Sequence, residues 1–114
     1  MSQSPSRYWP AWDSAVSANS SVNGTPLDVS NVDNVGVQIV WTSTSSLTGQ
    51  FDVQASNDKV NWDTLPVDNE ITTGGASGHG LYNLNEIPFN WIRVIYTSTS
   101  GTGSFTTNIS GKAI

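Results

Sequence analysis

From Pro26 onward, apolar and polar positions alternate with a period of two, and turn-forming residues break the alternation at regular intervals. Val35, Val37, Ile39 and Trp41 fall on one face of a first long strand, with Gly36, Gln38 and Thr42 on the other. Val40 alone breaks the polar side. After a Ser/Thr-rich turn ending in Gly49, Phe51, Val53 and Ala55 alternate with Gln50, Asp52, Gln54 and Ser56, the signature of a half-buried antiparallel strand. Turn formers fill Asn57 to Asn61, so the chain is expected to reverse there and to re-enter the core through Trp62. Leu65-Pro66-Val67 reads as a short edge strand because proline cannot donate to a ladder. Residues 73 to 80 hold four glycines and read as a flexible loop leading into Leu81, Tyr82 and Leu84. Trp91, Ile92, Val94, Ile95 and Tyr96 make the most apolar strand, apolar on both faces apart from Arg93, which predicts a central position. A turn at Ser100 to Gly103 precedes a last strand in which Phe105, Thr107 and Ile109 share a face. No stretch shows helical periodicity with a cap and a stop. The pattern predicts an all-β fold: a single antiparallel β-sandwich of seven to eight strands, of jelly-roll or galactose-binding-like type, with the strand order open.

The first two dozen residues differ, because Ser, Asn and Ala dominate and no period persists. They read as a flexible N-terminal arm over residues 1–24, ahead of a sandwich domain over 25–114. The arm carries a dense aromatic cluster, Tyr8-Trp9-Pro10-Ala11-Trp12, in which Pro10 biases Trp9 toward an extended backbone. These rings either tuck onto the domain's own core, as large aromatics generally do, or anchor the arm on a neighbouring subunit. On the second reading Tyr8, Trp9 and Trp12 are candidate assembly contacts.

Charge narrows the partners. Four Lys or Arg stand against nine Asp or Glu, a formal net charge of -5. The basic residues Arg7, Lys59, Arg93 and Lys112 are scattered, so nucleic acid is not an expected partner. No apolar run has the length of a signal segment or a membrane span, which points to a soluble chain made in a cytoplasm and to no membrane partner. There is no cysteine, so burial rather than disulfides or thiolate-bound metal must hold the fold.

Catalytic chemistry has little to work with. The lone histidine, His79, sits between Gly78 and Gly80, where a general base would lack a fixed position, and no nucleophile motif accompanies it. A non-enzymatic role with no cofactor is the expectation. Two Asx clusters, Asp28/Asn31/Asp33/Asn34 and Asn57/Asp58/Asn61/Asp63, offer oxygen ligands suited to calcium, but lack the spaced pattern of a helix-loop-helix site. Asx side chains also build turns by bonding their own backbone, and that reading is preferred, with no metal site assigned.

Three stretches carry a resemblance: Gln38-Ile39-Val40-Trp41-Thr42, the segment from Phe51 to Trp62 with its Ser56-Asn57-Asp58 turn ahead of Trp62, and the hairpin from Trp91 to Gly103. Together they resemble a recurrent type of small tailed-phage virion protein over roughly residues 35 to 112. The same turn and the late aromatic-Ile-Arg-Val strand also resemble discoidin-like and galactose-binding-like sandwiches. The phage resemblance implies a virion structural component made in the host cytoplasm, with capsid decoration favoured over a neck, tail or fibre accessory. Such a protein would bind the shell, stabilise it, and pair with itself, commonly as a trimer, and with the major capsid protein. On this reading Arg93 is either a core cation with a partner or an inter-subunit pairing residue. The competing expectation is a glycan-binding adhesion module of a phage tail, fibre or bacterial surface, with Trp62 or Tyr82 stacking on a sugar.

Overall fold

The computed structural model describes residues 6–30, 32–66, 70–85 and 88–112; of residues 6–15 and 112 it describes the backbone alone. Eight strands form one antiparallel sheet: β1 (Ser6–Ser17), β2 (Val22–Asn23), β3 (Leu27–Asp28), β4 (Asn34–Ser56), β5 (Asp63–Thr64), β6 (Ile71–Thr72), β7 (Gly78–Leu84) and β8 (Trp91–Lys112). The described residues contain no helix. The all-β antiparallel expectation therefore holds, and the sheet closes on itself as a sandwich.

Closure follows from the length of two strands. A flat strand of 23 residues would run about 75 Å at ~3.3 Å per residue, yet the longest dimension of the molecule is 50 Å. β4 and β8 pair along nearly their whole length, from Asn34 opposite Lys112 to Ser56 opposite Trp91. Their register shifts in the middle, between Ser43 and Gly49. Extra residues in one strand bend and twist a ladder, and here the bend folds both strands over together. Positions expected to be separate strands joined by turns at Ser43–Gly49 and Ser100–Gly103 are thus continuous strands creased at those points. Glycine makes the crease possible. Gly101 has φ +85°, and a Cβ there would overlap the Ser46 carbonyl oxygen; a Cβ on Gly49 would overlap the hydroxyl of Tyr96.

Each side of the crease forms one layer. On one side β1 pairs with the C-terminal half of β8, which pairs with the N-terminal half of β4, which pairs with β7. On the other, β2 and β3 pair with the N-terminal half of β8, which pairs with the C-terminal half of β4, which pairs with β5 and β6. The inward faces are those of the alternation: Val35, Val37, Ile39 and Trp41 with Phe105 and Ile109 from the first layer, and Phe51, Val53, Ala55, Ile92, Val94 and Tyr96 from the second, all buried. The rings meet near the crease, where Phe51 lies 5.6 Å from Trp41, 4.7 Å from Tyr96 and 5.1 Å from Phe105 between centroids.

Tyr82 stitches the layers together. It lies on β7 opposite Val37, and its hydroxyl accepts from the Ile71 N–H and donates to the Phe51 carbonyl, both at 2.7 Å. Burial, the largest cause, pushes its pKa up to about 12.

The N-terminal stretch departs from the expected arm. Residues 6–17 form β1, paired with β8 from Ser6 opposite Lys112 to Ser17 opposite Ser104, and Val22–Asn23 form β2. Register shifts between Trp9 and Asp13 and again between Asp13 and Val16 place bulges around Pro10, which has no N–H to give to a ladder. Those bulges are why no period of two survives in the sequence. Two smaller departures concern edges: the strand expected at Leu65-Pro66-Val67 is β5 at Asp63–Thr64, with Val67 outside the described residues, and the glycine-rich stretch is a turn at residues 73–77 followed by β7.

Candidate functional site

The side chains with interaction chemistry gather on the outer face and loops of the second layer. Antiparallel register sets Gln54 of β4 opposite Arg93 of β8. The Arg93 guanidinium donates to Gln54 Oε1 through Nε at 2.9 Å and Nη2 at 2.7 Å. It also stacks over the Trp62 ring, 4.3 Å from the centroid. Partial burial draws the Arg93 pKa down from its ordinary value. One turn away, the Lys59 ammonium sits 4.5 Å above the Trp91 ring. Two cation–π pairs therefore flank the loop between β4 and β5.

That loop is held by one carboxylate. Asp58 accepts hydrogen bonds from the backbone N–H of Asn61 (2.8 Å) and Val60 (2.9 Å), from Asn61 Nδ2 (2.7 Å) and from the Ser56 hydroxyl (2.9 Å). Donors this numerous, the Asn61 N–H foremost, hold its carboxyl well below the usual carboxylate range. Lys59 takes a left-handed φ of 65° within the turn. An open cleft of ≈ 450 Å³ lies alongside, lined by Ser56, Asn57, Asp58, Asn61, Asp63, Leu65 and Phe89 among others.

The geometry decides several expectations. Asp58 spends its oxygens on its own turn, as the Asx-turn reading requires, and Asp28 does the same toward Ser30 N (2.9 Å) and Oγ (2.6 Å); Asn31 lies outside the described residues. Trp62 does not re-enter the core: it is half-buried at the surface with Arg93 across one face of its ring. Tyr82 is buried, so its ring is not presented to a sugar. Arg93, expected to need a partner, finds an amide oxygen and an aromatic face. His79 is exposed on β7, opposite Val40 of β4. For the candidate assembly contacts, Tyr8 and Trp9 stand opposite Ser110 and Ile109 along β1, and Trp12 lies where the register shifts; all three side chains lie outside the described residues. Sequence reasoning missed both cation–π pairs; Arg93 and Trp62 meet because β4 pairs with β8 on one side and with β5, which follows Trp62, on the other.

An acidic pair lies close by. Asp52, 7% exposed, takes a hydrogen bond on Oδ2 from Gln50 Nε2 at 3.0 Å. Its carboxyl also meets that of Glu70, whose pKa is raised chiefly by this contact.

The outer face of the first layer is different in kind. Gly36, Gln38, Val40 and Thr42 of β4 alternate outward beside Thr106, Asn108 and Ser110 of β8 and His79, Leu81 and Asn83 of β7, with no Asp, Glu, Lys or Arg among them.

No protein-family model matches the chain, and no curated protein matches it in sequence. Among solved structures it is similar to the SPBc2 prophage-derived protein YomS, with a TM-score of 0.60 over 97% of each chain at 10% identity. It is also similar to part of a structure of infectious bursal disease virus, Gx strain, with a TM-score of 0.57 at 11% identity; the likeness covers 98% of this chain and 32% of that one. At such identities the likeness is one of fold, and it places this β-sandwich beside proteins of prophage and viral origin.

Proposed function

We propose that the chain is a non-enzymatic structural protein of a bacteriophage virion, a decoration or cement protein that binds the capsid shell and stabilises it. The observation that carries this reading is the end-to-end fold likeness to a prophage-derived protein, with a second likeness to a virus structure. Strand winding adds support. Count β1, β2 with β3, the two halves of β4, β5 with β6, β7, and the two halves of β8 as eight successive segments. The first then lies beside the eighth, the second beside the seventh, the third beside the sixth and the fourth beside the fifth. The chain is one long hairpin whose β4 and β8 also pair with each other, so that it rolls up. We read this winding as a jelly roll, an architecture used by capsid proteins and lectins alike.

On this reading the chain's partners are copies of itself and the major capsid protein, and its place is the virion. The stretch of first-layer outer face over β4, β7 and Thr106 to Ser110 of β8 suits packing against a protein shell, because it holds no Asp, Glu, Lys or Arg to desolvate. The adhesion alternative loses Tyr82 to burial, and Arg93 covers one face of Trp62.

The test is immunogold electron microscopy on virions of the phage that encodes the chain, using antibodies raised against the purified protein. Gold distributed over the shell, with particles lacking the gene breaking at lower temperature, is the expected result. Gold confined to the tail or fibres, or absent from virions, would overturn the decoration role.

A further inference from the structure

The edges of the folded sheet are not alike. An exposed strand edge is a template for pairing with another chain, and proteins that stay apart blunt their edges with brevity, proline, charge or bulges. In the second layer the edge strands β2, β3, β5 and β6 are two residues each. In the first layer β1 is long, but it carries Arg7, Pro10 and Asp13 and two register shifts. β7 has none of these devices. It runs seven residues, Gly78-His79-Gly80-Leu81-Tyr82-Asn83-Leu84, without proline or charge, and pairs with β4 in unbroken register from Val35–Leu84 to Trp41–Gly78. Among the described residues no other strand pairs with it.

We propose that β7 is an interface at which a second copy of this chain adds its own β7, antiparallel about a two-fold axis through Leu81. Three observations favour a second copy over another occupant. Leu81 is the middle residue of β7 and is 65% exposed, so a two-fold there pairs all seven residues and sets the two exposed leucines directly opposite, each burying the other. The same register places His79 opposite Asn83 on that face, polar against polar, and Gly80 opposite Tyr82 on the inner face. Charge points the same way: copies of a chain with net charge -5 repel, and β7 with its outward neighbours Gln38 and Val40 is where two copies meet without bringing like charges together. The contact is isologous and closes as a dimer. It stands apart from the virion reading, since the edge pairs in solution whether or not the chain decorates a shell.

The absence of native cysteine allows the register to be read directly. Residues directly opposite in an antiparallel pair have Cα atoms about 4.5 to 5.5 Å apart, within disulfide range, whereas residues four places out of register are roughly 13 Å apart. Full-length Leu81→Cys should cross-link to a dimer under mild oxidation. His79→Cys and Asn83→Cys should not cross-link alone but should when mixed. Light scattering on the wild-type chain should give twice the monomer mass, and Leu81→Lys, which sets two ammonium groups face to face at an exposed position, should halve it while melting as the wild-type chain does when diluted until it is monomeric. A monomeric wild-type chain, or an oligomer that Leu81→Lys leaves intact and Leu81→Cys does not cross-link, would overturn the β7 interface. Gold labelling of the shell would still stand in either case, so the two proposals fail separately.

Discussion

The two layers of this sandwich share a core but not a surface. The first layer is built from long strands, faces outward over β4, β7 and β8 with Gln, Asn, Ser, Thr, His79 and a few apolar side chains among the described residues, and ends in the edge of β7. The second is bounded by two-residue strands and carries on its outer side Arg93 over Trp62, Lys59 over Trp91, the Asp58 turn and the Asp52–Glu70 pair. The difference teaches where each kind of interaction belongs. A stretch of outer face without Asp, Glu, Lys or Arg has no such charge to desolvate in a contact, while the second layer's loop satisfies the Asp58 carboxylate from its own turn.

The layers remain one folding unit because their rings interlock at the crease. Phe51→Ala should therefore have the largest effect, costing about 3 to 5 kcal/mol, because this fully buried ring contacts Trp41, Tyr96 and Phe105. A single cooperative urea transition shifted to lower midpoint is the expected readout; two separate transitions would mean that the layers unfold independently. Next comes the crease itself. Gly49→Ala drives a methyl into the buried Tyr96, and should cost about 1 to 3 kcal/mol as overpacking does. Tyr82→Phe should cost on the order of 1 to 3 kcal/mol, since it leaves the Ile71 N–H and the Phe51 carbonyl without their shared partner. Hydrogen exchange should show Ile71 opening first.

Smaller effects belong to the outer side of the second layer. Trp62→Ala removes the ring under Arg93 and should cost about 0.5 to 1 kcal/mol, the range of a surface cation–π contact, with the loss weakened little by salt. The two carboxylates give opposite pH dependences. Glu70 holds its proton more tightly in the fold than in the unfolded chain, so its contribution is full below the ordinary glutamate range and is lost as pH rises through its raised pKa. Asp58 is the reverse: its contribution is present above the ordinary aspartate range and is lost as pH falls toward its depressed pKa. Melting temperatures followed from acid to neutral pH should show Glu70→Gln gaining stability at neutral pH alone, and Asp58→Asn losing it there. Equal shifts at all pH values would remove the carboxyl pair as the cause.

Most of the core was legible in the chain. Val35, Val37, Ile39, Trp41, Phe51, Val53, Ala55, Phe105 and Ile109 all point inward as their alternation requires, because burial of one face imposes a period of two wherever a strand is regular. The same logic located the Asp58 turn, since short-range Asx hydrogen bonds depend only on residues two or three apart. Where the ladder is irregular the signal disappears. β1 was hidden by bulges around Pro10, and the creases in β4 and β8 looked like turns because Ser, Thr and Gly serve either purpose.

The sequence by itself determined that this protein is an antiparallel β-sandwich, most of the side chains that fill it and the turn that Asp58 holds. Only the tertiary structure decided that two strands run unbroken through both layers, that Arg93 meets Gln54 and Trp62, that Tyr82 bridges the layers, and that β7 has a side no other described strand pairs with. The physical reason is range. Alternation and turn chemistry are set by near neighbours in the chain, whereas register, stacking and edge exposure depend on pairings between residues tens of positions apart.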